Sequence, residues 1–252
     1  LGGPARPDPG HRHSTLPRRT LSGIGAPASV PAPHPRGAPA AEPALSETDA
    51  PETLPLFPLS TVLFPGGLLP LQIFETRYID MIGRCMRAGE PFGVVLLTEG
   101  REARRESDDP TPSFAAVGTR AHIVDFTQLA NGLLGITARG GARFRVLSAS
   151  PQADHLLVGR VETLAESPGF PVPAEYAALV DILRQLLAHP EVNRLGIEVD
   201  QDDARSVVGR LTELLPLSPP LKQRLLELDD PILALAELER AVHALQAEAS
   251  ED

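Results

Sequence analysis

Lysine is all but missing from this chain: among 252 residues Lys222 stands alone, and tryptophan is absent altogether. A phosphate-cradling loop needs Gly-rich backbone ahead of Lys-Ser or Lys-Thr, whereas Lys222 follows Ser-Pro-Pro-Leu and precedes Gln223, so no P-loop is encoded. The same lysine would have to serve any Ser-Lys hydrolytic dyad, yet it stands in a polar helix-start context where a solvated ammonium is expected. One cysteine, Cys85, excludes an internal disulfide and any site built from Cys pairs. Its expected place is the core, and a reducing cytoplasm fits such usage. Aromatics make up only 4% of the chain, which supplies a stacking platform for single-stranded nucleic acid poorly. No apolar run reaches the ~18 residues that cross a bilayer, so a soluble chain without a membrane partner is expected. The seven histidines are scattered and form no HExxH or Cys-His ligand spacing, and a GxSxG elbow is missing. No catalytic residue, cofactor site or metal ligand is therefore assigned. A hydrolase whose triad is assembled from distant residues is the one enzymatic reading that sequence leaves open.

What is present is unevenly spread. Residues 1–52 hold 11 of the 27 prolines, many small residues and almost no apolar periodicity, so this tail is expected to be disordered. Its Arg, Ser and Pro content, with no acid between Asp8 and Glu42, faintly resembles a transit peptide but lacks an amphipathic face. The tail carries five Arg and five acids, so the net charge of −10 belongs to the remainder. A globular part this acidic is a poor phosphate binder overall.

Order is expected from the run LPLFPLSTVLFPGGLLPLQIF, residues 54–74, where Pro and Gly break short apolar stretches into strands joined by tight turns. Tyr78, Ile79, Ile82 and Met86 then recur at helical spacing, with Glu75 or Thr76 as a cap and Gly89 as a stop. Glu75 and Arg77, at the strand-to-helix junction, read as capping or local pairing. PFGVVLL predicts a buried strand, and the mixed-charge segment that follows, EGREARRESDDPTPS, predicts a long loop. Strands are expected at 114–126, 133–138, 144–147 and 156–164, separated by Asn131-Gly132, Gly140-Gly141 and Ser150-Pro151. From Pro173 the period turns helical. Apolar faces run through Tyr176, Val180, Leu183 and Leu187, then Val207, Val208, Leu211, Leu214 and Leu215, then Ile232, Leu235, Leu238, Val242 and Leu245. A short helix is expected from Pro219 to Leu228, completing four. Asp202 or Asp203, and Asp229 or Asp230 ahead of Pro231, are the expected caps. The fold class is α+β: a meandering, largely antiparallel sheet curled into a barrel over residues 53–167, then a helical subdomain over residues 168–249.

The block FPLSTVLFPGG joined to IFETRY in one register, followed by PFGVVLL, VGTRAHI, the Asn-Gly turn and GARFRVL, resembles the N-terminal substrate-binding domain of Lon proteases, in its short stand-alone bacterial form. The stretch LLPLSPPLKQRLLELDDP resembles the helical part of that group, and the likeness runs from about Leu54 to Leu245. It implies a PUA-like pseudo-barrel joined to a small helical bundle. It also implies a role in recognising unfolded or tagged polypeptide, with a protease or chaperone as a further partner. It imports no catalysis, since the ATPase and Ser-Lys protease parts of Lon have no counterpart in these residues. Cereblon carries a similar domain, but its zinc-bound ligand domain needs cysteines that are lacking here.

A polypeptide reader needs exposed apolar surface and backbone donors for an extended chain. Phe57, Phe64, Leu69, Phe74 and Tyr78 are the candidates for such a groove, while aromatics at these spacings also suit a core. The rival reading is RNA or a modified nucleoside held by the barrel, for which Arg139, Arg143, Arg145 and Arg160 would form a positive stripe.

Overall fold

The computed structural model describes residues 51–102, 111–129, 133–166, 169–194 and 196–251. The proposed disordered tail lies outside these, apart from Pro51 and Glu52. So do Asn131-Gly132 and the middle of the long charged loop, residues 103–110. The strands are β1 (Glu52–Leu59), β2 (Leu68–Ile73), β3 (Phe92–Glu99), β4 (Ser113–Gln128), β5 (Leu134–Pro151) and β6 (Leu157–Thr163). Helix α1 (Thr76–Ala88) stands between β2 and β3. After β6 come a 3-10 turn (Ala174–Tyr176) and helices α2 (Ala177–Ala188), α3 (Pro190–Asn193), α4 (Ala204–Leu214), α5 (Pro219–Glu227) and α6 (Pro231–Glu251).

The sheet order is β2-β5-β4-β3-β1-β6, and a further β5–β6 pairing closes five of these strands into a ring, with β2 outside it on β5. This is the expected pseudo-barrel followed by helices. One pair departs from the antiparallel expectation: β1 and β3 run parallel, because α1 carries the chain back across the sheet between them, as a crossover must. The two prolines of β1 are tolerated because the strand changes partner midway. Residues 52–56 pair with β6 and residues 56–59 with β3, so Pro55 and Pro58 each sit in a half with one partner, where a missing donor can face away from the ladder.

Gly140-Gly141 does not end a strand. β5 runs unbroken through it and past Ser150 to Pro151, and the glycine serves close approach instead. A Cβ on Gly140 would stand 2.1 Å from the carbonyl oxygen of Phe64. The backbones are held that close by Gly66 N–H donating to Gly140 O at 2.7 Å and Gly140 N–H donating to Gly67 O at 2.9 Å.

Apolar residues collect in three places. Leu54, Leu56, Val95, Phe144, Leu157 and Val161 come from four barrel strands and surround Phe144. α1 buries Tyr78, Met81, Ile82 and Cys85 against the sheet. Ile79 and Met86, expected on that face, are 41% and 38% exposed: the periodicity was correct for a helix, but its buried stripe is turned by one residue. Gly89, at φ 70, ends α1 with its N–H on Cys85 O. The third cluster joins the helices to one another and to the barrel through Val62, Phe64, Leu96 and Val117. Asp203 caps α4 by accepting from Ser206 N–H, and Asp230 accepts from Ile232 N–H at 2.8 Å at the start of α6. The short α3, capped by His189, was not expected from periodicity; four residues carry too little pattern to be seen.

Gly140→Ala is expected to lower unfolding free energy by about 1–3 kcal/mol, since the new methyl meets backbone that cannot rotate away. Urea denaturation checks this; an unchanged midpoint with an unchanged slope would contradict it.

Candidate functional site

Of the five residues offered from sequence as groove-lining, Phe57 and Tyr78 belong to the core and are corrected accordingly, while Phe64, also buried, borders the concavity between barrel and helices. Phe57 and Tyr78 stack at 3.9 Å between ring centroids, tilted by 18°, and both are buried, as is Phe64. Alternation along β1 sends Phe57 to the α1 side, where it meets the inward face of the helix. Burial pushes the Tyr78 phenol up to about 12, a desolvation effect that the Arg77 charge reduces without reversing. Leu69 is half-buried against the same cluster, and Phe74 is 58% exposed.

Glu75 makes no side-chain cap. Its carboxylate instead pairs with Arg77 at 2.9 Å. Arg77 lies over the Tyr78 ring and donates from Nη1 to His155 O at 2.8 Å. His155 holds φ 63, in the left-handed region, so this arginine pins the β5–β6 turn in a conformation that a non-glycine residue adopts at a cost.

The surface that sequence reasoning missed lies on the far half of β4. β3 stops pairing with β4 at Ala121, while the β4–β5 ladder continues to Gln128–Leu134, so among the described residues the outer edge of residues 122–128 has no strand partner. Val124 and Phe126 on this stretch are 50% and 60% exposed. On one side of Phe126 a hollow of about 250 Å³ is lined by Cys85, Met86 and Gly89 of the α1 end and by His122 to Phe126. On the other a hollow of about 320 Å³ is lined by residues 70–72 of β2 and by Gly135, Ile136 and Thr137 of β5. Phe126 and Asp125 line both. Ile79 lies two turns before Met86 on the same stripe of α1. The edge is bulged between Ile123 and Asp125, and the Asp125 carboxylate accepts from Phe126 N–H at 2.9 Å. A bulge and a charge are devices that keep an open edge from pairing indiscriminately.

A second concavity, of about 300 Å³, opens between the barrel and the helices. Phe64, Val208, Leu225 and Leu226 give it an apolar floor, and Arg143, Arg205 and Arg210 reach its walls. Arg143 donates to Leu226 O at 2.8 Å and to Asp229 at 2.9 Å. It is buried, which removes it from any surface stripe with Arg139, Arg145 and Arg160. Arg210 donates to Pro65 O at 2.7 Å and pairs with Glu213 at 2.6 Å. Burial pushes the Glu213 carboxyl up to about 7, opposed by Arg210, by Phe64 N–H and by Lys222. Lys222 is not the solvated lysine expected from its neighbours: it is half-buried, donates to Glu213 O at 3.3 Å, and desolvation lowers its pKa. Among the described residues no group of three or more His, Cys, Asp and Glu converges on a point.

Residues 53–243 match the family model described as the ATP-dependent protease La (LON) substrate-binding domain. Lon protease 2 of Myxococcus xanthus is 29% identical over 176 residues, which cover 68% of this chain and 20% of that protein. Lon protease of Anaeromyxobacter dehalogenans is 30% identical over 185 residues, covering 73% and 19%. The chain thus spans about a fifth of the length of these relatives. The crystal structure of a Lon N-terminal domain protein from Xanthomonas campestris is similar with a TM-score of 0.62 at 34% identity, covering 75% of this chain and 98% of that one.

The raised pKa of Glu213 fixes the sign of a pH effect. In the folded chain this carboxyl binds its proton more tightly than at its ordinary value of 4.5, so its share of stability is complete below that pH and is lost as pH rises through about 7. Replacing Glu213 by Gln is expected to flatten the fall in urea midpoint between pH 5 and 8 relative to the parent protein. Parallel profiles for the two proteins would contradict it.

Proposed function

The chain belongs to the Lon substrate-binding domain family, and on that premise we propose that it grips exposed apolar segments of polypeptide, whether of an unfolded client or of a protease that receives the client, and breaks no bond itself. The observation that carries this reading is the open β4 edge with Val124, Phe126 and Met86 standing beside it. An extended peptide laid along residues 122–128 gains backbone hydrogen bonds from the edge where it follows the bulge and displaces the Asp125 carboxylate from Phe126 N–H, so main-chain pairing is available there but not indiscriminate. The hollows on either side of Phe126 take alternate apolar side chains, which selects unfolded over folded segments because folded chains keep such residues inside. Tolerance of many clients follows from a contact made mostly of backbone and of flexible Met86.

Binding without catalysis is supported by the lack of a phosphate-cradling loop in the 252 residues and by Lys222 being committed to Glu213 O. The reading places the protein in the cytoplasm, where its single thiol would stay reduced.

The direct test is fluorescence anisotropy of a labelled, permanently unfolded protein titrated with the parent chain and with Phe126→Ser and Met86→Ser variants. Saturable binding in the micromolar range is expected, with each variant weaker by about tenfold, or ~1.4 kcal/mol. Absence of saturation at tens of micromolar, or variants that bind as the parent does, would sink the proposal.

A further inference from the structure

We propose that the concavity between barrel and helices binds a carboxylate carried on a short apolar group, either the C-terminus of a polypeptide or a free short-chain carboxylic acid. At about 300 Å³ it is at the lower bound of the range for small-ligand pockets, roughly 300–1,000 Å³, which suits one apolar side chain with its acid group and little more. It is separate from the β4 edge, and its occupancy does not depend on the reading given above.

Charge in the concavity is arranged by depth. Arg143 and Arg210 are each only 3% exposed, and both line the concavity together with Arg205. The bonds of Arg143 to Leu226 O and Asp229 use two of its five donors, and those of Arg210 to Pro65 O and Glu213 likewise use two. Their neutralisation is thin. Asp229, the partner of Arg143, is 69% exposed on its side chain, so water screens much of its charge. Glu213, the partner of Arg210, is itself held towards its neutral form by burial. Arg205 donates to Leu228 O and Asp229 O, and burial and the nearby Arg143 charge lower its proton affinity, opposed by Asp229, Glu166 and Asp203. Arg143 and Arg205, two guanidiniums on one partly desolvated space, repel one another, and a carboxylate entering it relieves that repulsion while accepting paired N–H donors.

The acids at the same site set the class of anion. Glu166 and Glu198 are exposed at the mouth, and Asp203 is engaged by Phe170 N–H and Ser206 N–H, both within 3.0 Å. Around a mouth of this sign a phosphate dianion is repelled more than a single carboxylate, and it has no use for the floor of Phe64, Val208, Leu225 and Leu226. A carboxylate on an apolar stem uses both: the stem meets the floor and the head meets the arginines.

The test uses the full chain and four probes: N-acetyl-Ala-Ala-Leu with a free C-terminus, the same peptide as its C-terminal amide, 4-methylpentanoate, and 4-methylpentanamide. Isothermal titration is expected to show each acid binding at least tenfold more tightly than its amide, in competition with the other acid. A peptide acid clearly tighter than 4-methylpentanoate identifies the source as a polypeptide C-terminus; equal affinities identify a small carboxylic acid. Arg205→Gln, checked for folding by circular dichroism, is expected to remove the preference of acid over amide. Acid and amide binding alike, inorganic phosphate displacing the acids as well as they displace each other, or an unchanged preference in Arg205→Gln would each overturn the proposal. The acid–amide comparison is made on the parent protein and stands even if the variant does not fold.

Discussion

The turn from Phe64 to Gly67 is the contact on which the rest of the structure depends, because it is wedged between a barrel strand and a helix and bonded to both. On the barrel side it exchanges backbone hydrogen bonds with Gly140, and Thr119 Oγ1 donates to Leu63 O at 2.6 Å just before it. On the helix side Arg210 reaches Pro65 O, and the Glu213 carboxylate approaches so closely that a Cβ on Gly67 would lie 1.8 Å from Oε1. Consecutive residues ahead of the turn point into different cores. Val62 and Phe64 join the helical cluster, whereas Leu63 joins the cluster under α1. A segment of three residues therefore ties together two bodies of apolar packing that would otherwise share few side chains.

From that wedge follow the two surfaces described above. Helices held against the turn are joined to the barrel by further polar pins: Gln223 Nε2 donates to Val117 O at 2.9 Å, and Arg143 donates to Leu226 O. Each satisfies a carbonyl that would cost free energy if buried alone. Where these pins spread apart, the arginine-walled concavity opens. The β4–β5 ladder outruns β3, and Phe126 on that stretch is 60% exposed. The acidic balance of the chain and the arginines inside it are thus not in conflict, since Arg143 and Arg210 serve internal carbonyls and carboxylates rather than an external polyanion.

Much of the fold was legible because local chemistry and tertiary packing agree. Gly89 as a stop, Asp203 and Asp230 as caps, and the 3.6-residue period of α2, α4 and α6 are local signals, and the structure uses each of them locally. The misreadings share a different cause. Gly140-Gly141 reads as a turn until Phe64 is known to lie against it, and Lys222 reads as solvated until Glu213 is brought beside it. Phe57 and Tyr78 stack on each other across the sheet-to-helix interface, a pairing that no spacing in sequence reveals. Phe126 is exposed only because β3 ends its pairing at Ala121, a matter of strand register rather than of residues near Phe126. The block FPLSTVLFPGG with IFETRY carried the family resemblance, and its most constrained part is the wedge itself, so the motif marks the structural joint more than the exposed β4 edge.

Hydrogen–deuterium exchange of the protein, alone and saturated with a permanently unfolded polypeptide, tests the central claim most directly. The account predicts slowed exchange of backbone amides in residues 122–128 and around Met86 and Gly89, with the Phe64–Gly67 turn already slow in both states. Unchanged exchange along residues 122–128, with protection appearing elsewhere on the chain, would contradict it.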